Sequence, residues 1–323
     1  MTLPTAILLM GPTAAGKTQL ALHLHEHLPV DLISVDASQV YRGMDIGTAK
    51  PTADEQARAP HRLIDIRDPA EPYSAADFCA DARREMDDIV CRGRIPLLVG
   101  GTMFYFRALE FGLSQLPAAD PAVRAALKSE GEQLGWAALH ARLAARDPET
   151  AARINPNDAQ RIQRALEIIE LTGATPTVLN QAPRAAPPFE FVHLALIPPQ
   201  RAWLHERIAR RFHSMLELGL LTEVEKLYGR GDLSLEHPSV RTVGYRQAWT
   251  YLTGQLTYIQ MAEQAIAATR QLAKRQLTWL RQYQGRAHVF DCQQPLEHSC
   301  LTYLHTIPAI AAQCGADRAR TIV

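Results

Sequence analysis

The chain contains few cysteines, no excess of charge of either sign and no apolar stretch long enough to span a membrane. Its five cysteines are scattered over 323 residues without a C-x-x-C pair, so neither a zinc knuckle nor a disulfide framework is indicated. Basic and acidic residues balance, so nucleic-acid binding would have to depend on local clusters. The N-terminal apolar run is too short for a signal peptide, and we expect a cytoplasmic protein with reduced thiols and no membrane contact.

The most informative motif lies near the N-terminus and fits the phosphate-binding loop G-x-x-x-x-G-K-[ST] in full. It follows the apolar run Ala6–Met10, which predicts a buried strand, and precedes Gln19–Leu24, which predicts a helix. Such a loop points several backbone N–H groups at one anion, at the positive end of a helix. Lys17 adds a full charge, and the Thr18 hydroxyl is suited to Mg²⁺, the expected cofactor. The predicted phosphate-binding residues are Gly11, Pro12, Thr13, Ala14, Ala15, Gly16, Lys17 and Thr18.

The first hundred residues alternate between strand-like apolar runs and helical patterns, which predicts a parallel sheet flanked by helices. Further strands are expected at Asp31–Val35, His61–Ile66 and Ile95–Val99. A helix is expected over residues 74–92, with Ser74 as its cap. Ligands of open parallel sheets bind beyond the carboxyl ends of the strands, so the phosphate loop, Asp36 and Thr102 are expected to share one cleft.

The composition changes between about Leu116 and Pro188, where strand-like runs disappear and Ala, Arg and Glu dominate. Helical patterns in this segment cover residues 137–146 and 158–171, and a Pro-rich linker is expected at 182–188. A strand-like run then returns at 191–196, with long helical patterns at 203–218 and 257–284. We predict an α/β fold with a phosphate-loop core, 1–115 and 190–323, and an inserted all-α subdomain, 116–189. No recognisable signal follows about residue 290.

Asp36 follows the second predicted strand and lies beside the phosphate loop. A carboxylate in this position caps the next turn, holds Mg²⁺ through water or accepts a proton from a nucleophile, and its position favours a functional role. The segment that it opens, residues 36–51, is polar and interrupted by glycines, as suits a loop over a binding cleft.

Six segments, in order, resemble those of bacterial tRNA dimethylallyltransferases, also called tRNA isopentenyltransferases. They are the phosphate loop, D-A-S-Q-V-Y-R-G-M-D-I-G-T-A-K-P from residue 36, G-G-T-M-F-Y-F-R-A-L from 100, N-P-N-D-A-Q-R-I-Q-R-A-L-E from 155, R-T-V-G-Y-R-Q from 241 and T-R-Q-L-A-K-R-Q-L-T-W from 269. The phosphate loop alone is generic, whereas the other five in sequence are specific. The likeness covers most of the chain and ends by about residue 285.

This resemblance implies transfer of a dimethylallyl group from its diphosphate to N6 of the adenine immediately 3′ of a tRNA anticodon. Pyrophosphate is released with help from Mg²⁺. Lys17 and the backbone amides of the loop are suited to the leaving diphosphate, and Asp36 is the nearest candidate base for the amine proton. The resemblance places Thr102 near the amine or the diphosphate, while the sequence alone suggests an additional role as a helix cap.

The resemblance also implies contacts with the anticodon stem-loop, and we expect a monomer. The residues expected to contact tRNA are Asp36, Ala37, Ser38, Gln39, Thr102, Arg124, Gln160, Arg161, Ile162, Gln163, Arg164, Arg241, Thr242, Val243, Gly244, Tyr245 and Arg246. The sequence leaves open the roles of two further basic groups. The first forms a solvated helix face, a tRNA contact or the lining of a diphosphate channel, and consists of Arg270, Lys274 and Arg275. The second supplies lid arginines or surface charge, and consists of Arg207, Arg210 and Arg211.

The principal alternative is a small-molecule kinase that uses ATP in the same loop. It would need a second carboxylate for Mg²⁺ after another strand, and Asp65 has suitable spacing. Prenylation of free adenine nucleotides is disfavoured because a free nucleotide needs no helical insertion. An RNA-binding protein without catalysis would not need a complete phosphate loop beside an acid.

Overall fold

The computed structural model describes residues 3–114, 116–181 and 188–321. The chain divides into two compact units: Met1–Glu110 with Pro187–Val323 form the larger, and Phe111–Ala186 the smaller. The insertion was expected at 116–189. Most of the expected Pro-rich linker, residues 182–187, lies outside the described residues.

The larger unit contains a six-stranded parallel sheet. Its strands are β1 (Thr5–Met10), β2 (Val30–Val35), β3 (His61–Arg62), β4 (Ile95–Gly100), β5 (Glu190–Ile197) and β6 (His288–Asp291). The order across the sheet is β3-β2-β4-β1-β5-β6. Strands β1 and β4 are buried along their whole length, as expected for parallel strands that are covered by helices. The predicted parallel α/β core is confirmed.

The helices are numbered in chain order through both units. They are α1 (Lys17–His27), α2 (Ala53–Arg58), α3 (Ala75–Cys91), α4 (Met103–Phe111), α5 (Pro121–Leu134), α6 (Trp136–Arg146), α7 (Pro148–Ala152), α8 (Ala159–Thr172), α9 (Pro176–Leu179), α10 (Arg201–Glu217), α11 (Leu220–Tyr228), α12 (Tyr245–Leu252), α13 (Tyr258–Leu280), α14 (Glu297–His305) and α15 (Pro308–Thr321). Within the described ranges, none of these helices is both long and apolar enough to cross a membrane.

Helix α3 shows how local sequence determines an element. The Ser74 hydroxyl accepts a hydrogen bond from the Asp77 backbone N–H, and the Asp77 carboxylate in turn accepts one from the Ser74 N–H. This reciprocal cap satisfies two N–H groups that would otherwise have no partner at the start of the helix. The helix then buries an apolar face, and the predicted start is confirmed.

Two parts of the sheet differ from expectation. The third strand was expected to reach Ile66, but β3 ends at Arg62 because Leu63 and Asp65 adopt left-handed backbone angles, with φ of +63° and +57°. A strand cannot continue through such angles. The C-terminal region, in which no signal was recognised, forms β6, α14 and α15, and β6 extends the sheet beside β5.

The described residues of the smaller unit form α5 to α9, joined by short loops, and contain no strand. It has a core of its own, formed by buried apolar side chains of α5, α6 and α8. They include Leu127, Leu139, Leu143, Ile162, Leu166 and Ile169. The helices expected at 137–146 and 158–171 correspond to α6 and α8, and the all-α insertion is confirmed as part of the fold class.

Candidate active site

The phosphate loop connects β1 to α1 through two left-handed residues. Ala14 has a φ of +63° and Gly16 a φ of +94°, and Gly16 is the residue immediately before α1. Gly11 lies against β5, where an added Cβ would be 3.1 Å from the Leu196 Cβ. The strand, loop and helix therefore have the arrangement that the motif requires for binding an anion at a helix N-terminus.

The Lys17 ammonium turns back onto its own loop. Its Nζ donates hydrogen bonds to the Gly11 carbonyl at 3.0 Å and the Pro12 carbonyl at 2.8 Å. Burial lowers the pKa of Lys17 to about 8, and the nearby Arg211 charge acts in the same direction. The opposite charge of Asp36 favours the protonated form, but its effect is smaller.

Gln276 connects the phosphate loop to the turn after β4. Its buried side-chain amide accepts from the Thr13 N–H at 2.8 Å and donates to the Gly101 carbonyl at 3.0 Å. An added Cβ at Gly101 would lie 2.4 Å from the Gln276 Nε2, so only glycine fits there without displacing the amide. The phosphate loop and the Gly101–Thr102 turn are thus held at a fixed separation.

One of the two carboxylate oxygens of Asp36 is hydrogen-bonded within its own loop. Its Oδ1 accepts from the Ser38 N–H at 2.9 Å and from the Ser38 hydroxyl at 2.6 Å. Its Oδ2 accepts no hydrogen bond from any described residue. The Thr102 hydroxyl accepts from the neighbouring Ala37 N–H at 3.1 Å, so this hydroxyl braces the Asp36 segment rather than capping its own helix.

A cavity of about 530 Å³ lies at the carboxyl ends of the strands, within the larger unit. Its lining combines the phosphate loop, the segment after β2, and residues of α10, α13 and the turn before α12. Among the lining residues are Thr13–Gln19, Asp36, Ser38, Gln39, Gly47–Pro51, Arg207, Arg210, Arg211, Thr242–Gly244, Thr269, Leu272 and Gln276. The phosphate loop and Asp36 therefore share one cleft, as the strand positions predict. Thr102, which was expected in the same cleft, directly follows the lining residue Gly101 but is not itself part of the described lining.

Two of the three candidate lid arginines contact the phosphate loop. Arg207 donates to the Ala14 carbonyl at 2.8 Å and lies over the Trp203 ring, and an Arg211 nitrogen lies 3.5 Å from the Thr13 hydroxyl. Burial lowers the pKa of Arg211. The third, Arg210, lines the cavity but is largely exposed and lies near Glu206.

The loop after Asp36 is held by a residue that the sequence did not single out. The Glu223 carboxylate on α11 accepts from the N–H groups of Asp45 at 2.9 Å, Ile46 at 2.8 Å and Gly47 at 3.2 Å. The Tyr245 hydroxyl donates to the same carboxylate at 2.5 Å. Gly47 is closely covered, since an added Cβ would lie 2.5 Å from the Tyr245 ring. Glu223 therefore fixes the loop that forms one wall of the cavity.

Glu223→Gln is expected to lower the free energy of unfolding by roughly 2 kcal/mol, because an amide nitrogen cannot accept from the donors it would face. Substrate KM should rise as well, since the cavity wall loosens. Urea denaturation and steady-state kinetics measure the two effects. Glu225→Gln, at an exposed position on the same helix, is the control. Equal behaviour of the two variants would contradict the role of Glu223.

Two of the residues expected to contact tRNA bind one buried carboxylate in the smaller unit, and a third binds the backbone of the first. Arg124 and Arg164 donate to Glu167 at 2.9 and 2.6 Å, and Gln163 donates to the Arg124 carbonyl. Burial raises the pKa of Glu167, but the hydrogen bonds from Arg164 and Arg124 outweigh it and hold that pKa below its usual range. The arginines are only partly buried, so each keeps donor surface exposed.

Other residues of this group have different surroundings. Gln160 and Arg161 are exposed on α8, and Arg161 forms a 3.1 Å ion pair with Asp158. Ile162 is wrong as a direct contact, because its side chain is fully buried in the core of the smaller unit.

The segment before α12 likewise contains residues with different surroundings. Thr242, Val243 and Gly244 line the cavity, while Arg241 and Arg246 are exposed. Tyr245 was expected to contact tRNA, but its ring is only 1% exposed and its hydroxyl is bound to Glu223, so the ring is not available for such a contact.

Helix α13 lines the cavity through Thr269, Leu272 and Gln276, and its basic residues are not part of the described lining. Lys274 and Arg275 are exposed, and Arg270 is partly buried.

Oxygen donors suited to Mg²⁺ are present in the cavity. Thr18 and Asp36 both line it, and Asp36 retains an oxygen with no described hydrogen bond. Asp65, the carboxylate that a kinase would need, instead pairs with Lys50 at 2.5 Å. Lys50 also binds Asp45 at 2.7 Å, so the Asp65 carboxylate is part of the loop's own ion-pair network.

Comparison with known proteins gives consistent results. A family model described as IPP transferase matches residues 39–283. A tRNA dimethylallyltransferase of Thioalkalivibrio sulfidiphilus (strain HL-EbGR7) is 61% identical over 283 residues, which is 87% of this chain and 88% of the relative.

Solved structures are similar over most of the chain. The full-length tRNA isopentenylpyrophosphate transferase of Bacillus halodurans has a TM-score of 0.69 at 37% identity, covering 99% of both chains. A eukaryotic dimethylallyltransferase acting on tRNA has a TM-score of 0.76 at 27% identity, covering 90% of this chain and 74% of its own.

Proposed function

Because the chain belongs to the IPP transferase family of tRNA dimethylallyltransferases, we propose that its cavity transfers a dimethylallyl group from dimethylallyl diphosphate to tRNA. The acceptor is N6 of the adenine immediately 3′ of the anticodon, and pyrophosphate is the second product. The observation that carries this proposal is the shared cavity, in which a phosphate loop and the unengaged Oδ2 of Asp36 meet.

The donor diphosphate occupies the phosphate loop. As the carbon–oxygen bond breaks, its electron pair moves to the bridging oxygen, where negative charge develops. The Lys17 ammonium and the loop N–H groups stabilise that charge, and Arg207 and Arg211 lie close enough to the loop to assist. Mg²⁺, which the Thr18 hydroxyl would hold, supplies further neutralisation of the diphosphate when it is bound.

The acceptor amine approaches from the Asp36 side of the cavity. Its nitrogen forms the new bond to the allylic carbon and must lose a proton, which Asp36 accepts on Oδ2. Ser38 fixes the other oxygen, so the base is oriented before substrate arrives. Thr102 holds the adjoining Ala37 N–H and so acts on Asp36 through the backbone.

The tRNA must present its target adenine out of the anticodon loop, because the reacting nitrogen is inaccessible while the base is stacked. The exposed arginines of the smaller unit and of residues 241–246 bind the anticodon stem-loop. We further propose that the protein acts as a cytoplasmic monomer.

A direct test is incubation with labelled dimethylallyl diphosphate and bulk tRNA, followed by analysis of modified adenosine. ATP with a small-molecule phosphate acceptor is the matched control. Label in tRNA with no phosphoryl transfer supports the proposal. Phosphoryl transfer without tRNA labelling would identify a kinase instead.

Since the chain has no net charge, its affinity for tRNA depends on local cations and should fall with salt. Replacing the exposed Arg161 with Ala is expected to reduce the slope of log affinity against log salt by about one. Filter binding between roughly 50 and 200 mM salt measures both quantities. Arg92→Ala, in the larger unit, is the control. A flat salt dependence in the unaltered protein would contradict binding through these clusters.

A further inference from the structure

A cluster of two histidines and one glutamate lies on the half of α1 that is further from the phosphate loop. It consists of His23, Glu26 and His27, and we call it the α1 cluster. One nitrogen of each imidazole and one carboxylate oxygen of Glu26 all lie within 4.8 Å of one another. None of the three is part of the described lining of the cavity, so the transfer chemistry does not use them.

The helix itself brings these side chains together. Residues three and four apart lie on the same face of an α-helix, which places Glu26 and His27 beside His23. The centroids of the two imidazole rings are 4.1 Å apart. The spacing H-x-x-E-H on a helix binds zinc through its two histidines in one class of metallopeptidases. Because the α1 cluster lies outside the cavity, it is suited to holding a metal ion rather than to hydrolysis.

The donor atoms of the cluster are available to a metal ion. The His27 Nδ1–H donates to the His23 backbone carbonyl at 2.8 Å, and a carbonyl can only accept, so Nε2 carries the free lone pair of the neutral ring. A bond of this kind orients the ring in most metal-binding histidines. Arg58 donates to Oε1 of Glu26, whereas no described residue donates to Oε2. Glu26 and His27 are exposed, and His23 is half-buried.

We infer that the α1 cluster binds a divalent transition-metal ion, with Zn²⁺ as the best-suited ion. Imidazole nitrogens and carboxylate oxygens are usual zinc ligands, and a set of three leaves a fourth position for water. Zn–N bonds of about 2.0–2.1 Å put tetrahedral ligands about 3.3 Å apart, a separation that small rotations of surface side chains provide. Mg²⁺ prefers oxygen ligands, so this site differs in chemistry from the oxygen donors of the cavity. The inference does not depend on which reaction the cavity catalyses.

The test is isothermal titration of the untagged full chain with Zn²⁺, in the presence of excess Mg²⁺ to occupy oxygen-donor sites. The unaltered protein is expected to bind one Zn²⁺ per chain. His23→Ala and His27→Ala should each weaken binding by at least roughly 10-fold, because loss of a ligand costs no less than loss of a group that supports one. His298→Ala removes an exposed histidine of α14 and is the matched control, which should bind as the unaltered protein does.

Two further measurements make the result specific to these side chains. Co²⁺ in place of Zn²⁺ should show visible absorption without the near-ultraviolet charge-transfer band that thiolate ligands give, and His27→Ala should lose that absorption. Thermal unfolding in EDTA should be the same for all variants, which shows that lost binding is not lost folding.

The inference is overturned if the unaltered protein binds no Zn²⁺ or if Co²⁺ shows a thiolate band. It is also overturned if His23→Ala and His27→Ala bind Zn²⁺ as tightly as His298→Ala, because the ion then lies elsewhere on the protein.

Discussion

Asp36→Asn is expected to retain tRNA binding while its single-turnover transfer rate falls by roughly 10²- to 10⁴-fold, and Asp36→Ala should behave similarly. The asparagine side chain can still accept from Ser38 through its oxygen, so the surrounding loop keeps its bonds. It cannot take the proton that the amine must lose. Rapid-quench measurement with saturating donor and stem-loop RNA isolates this step from product release.

A suitable control is Asp54→Asn, which removes an exposed carboxylate on α2. It should transfer at the normal rate. A near-normal rate for Asp36→Asn would show that the proton leaves to another acceptor. Loss of tRNA affinity by the same factor as the rate would instead indicate a binding role for Asp36.

Lys17→Ala is expected to weaken binding of dimethylallyl diphosphate by roughly 100-fold and to leave tRNA affinity largely intact, because a charged donor to the diphosphate is lost. The unaltered enzyme should also lose donor affinity as pH rises through about 8, where the buried ammonium gives up its proton. At lower pH the ammonium stays charged and affinity is retained. Equilibrium binding of the labelled donor from pH 6.5 to 9.5 measures this profile.

Lys226→Ala, at an exposed position on α11, controls for loss of a lysine charge in general. Its donor affinity should match the unaltered enzyme at every pH. The assignment of Lys17 to the leaving group fails if Lys17→Ala binds donor normally. It also fails if donor and tRNA affinities fall by the same factor.

The features that the sequence predicts well are those that neighbouring residues determine. The phosphate loop carries its own glycines, lysine and hydroxyl within eight positions, and the flanking apolar runs give β1 and α1. The Ser74 cap is equally local. Such features depend on contacts within a few residues, so the pattern contains what is needed to predict them.

The features that were missed depend on contacts between distant segments. Nothing near Glu223 shows that its carboxylate binds three backbone N–H groups some 180 positions earlier in the chain. The role of Gln276 was missed for the same reason. Both of its hydrogen-bond partners are backbone groups, which do not depend on the side chain at those positions. Tyr245 was an error of the opposite kind. Its position beside a glycine and two arginines suggested a contact with tRNA, but its ring is buried.

The connectivity around the phosphate loop also bears on how the protein is made. The loop is translated first, yet β1 lies between β4 and β5, and Thr13 and Ala14 are held by Gln276 and Arg207. The Thr13 bond alone spans 263 positions. On the ribosome, an emerging chain therefore displays the whole motif long before it has the partners that hold it in shape. The loop therefore gains its bond to Gln276 only after α13 has left the exit tunnel.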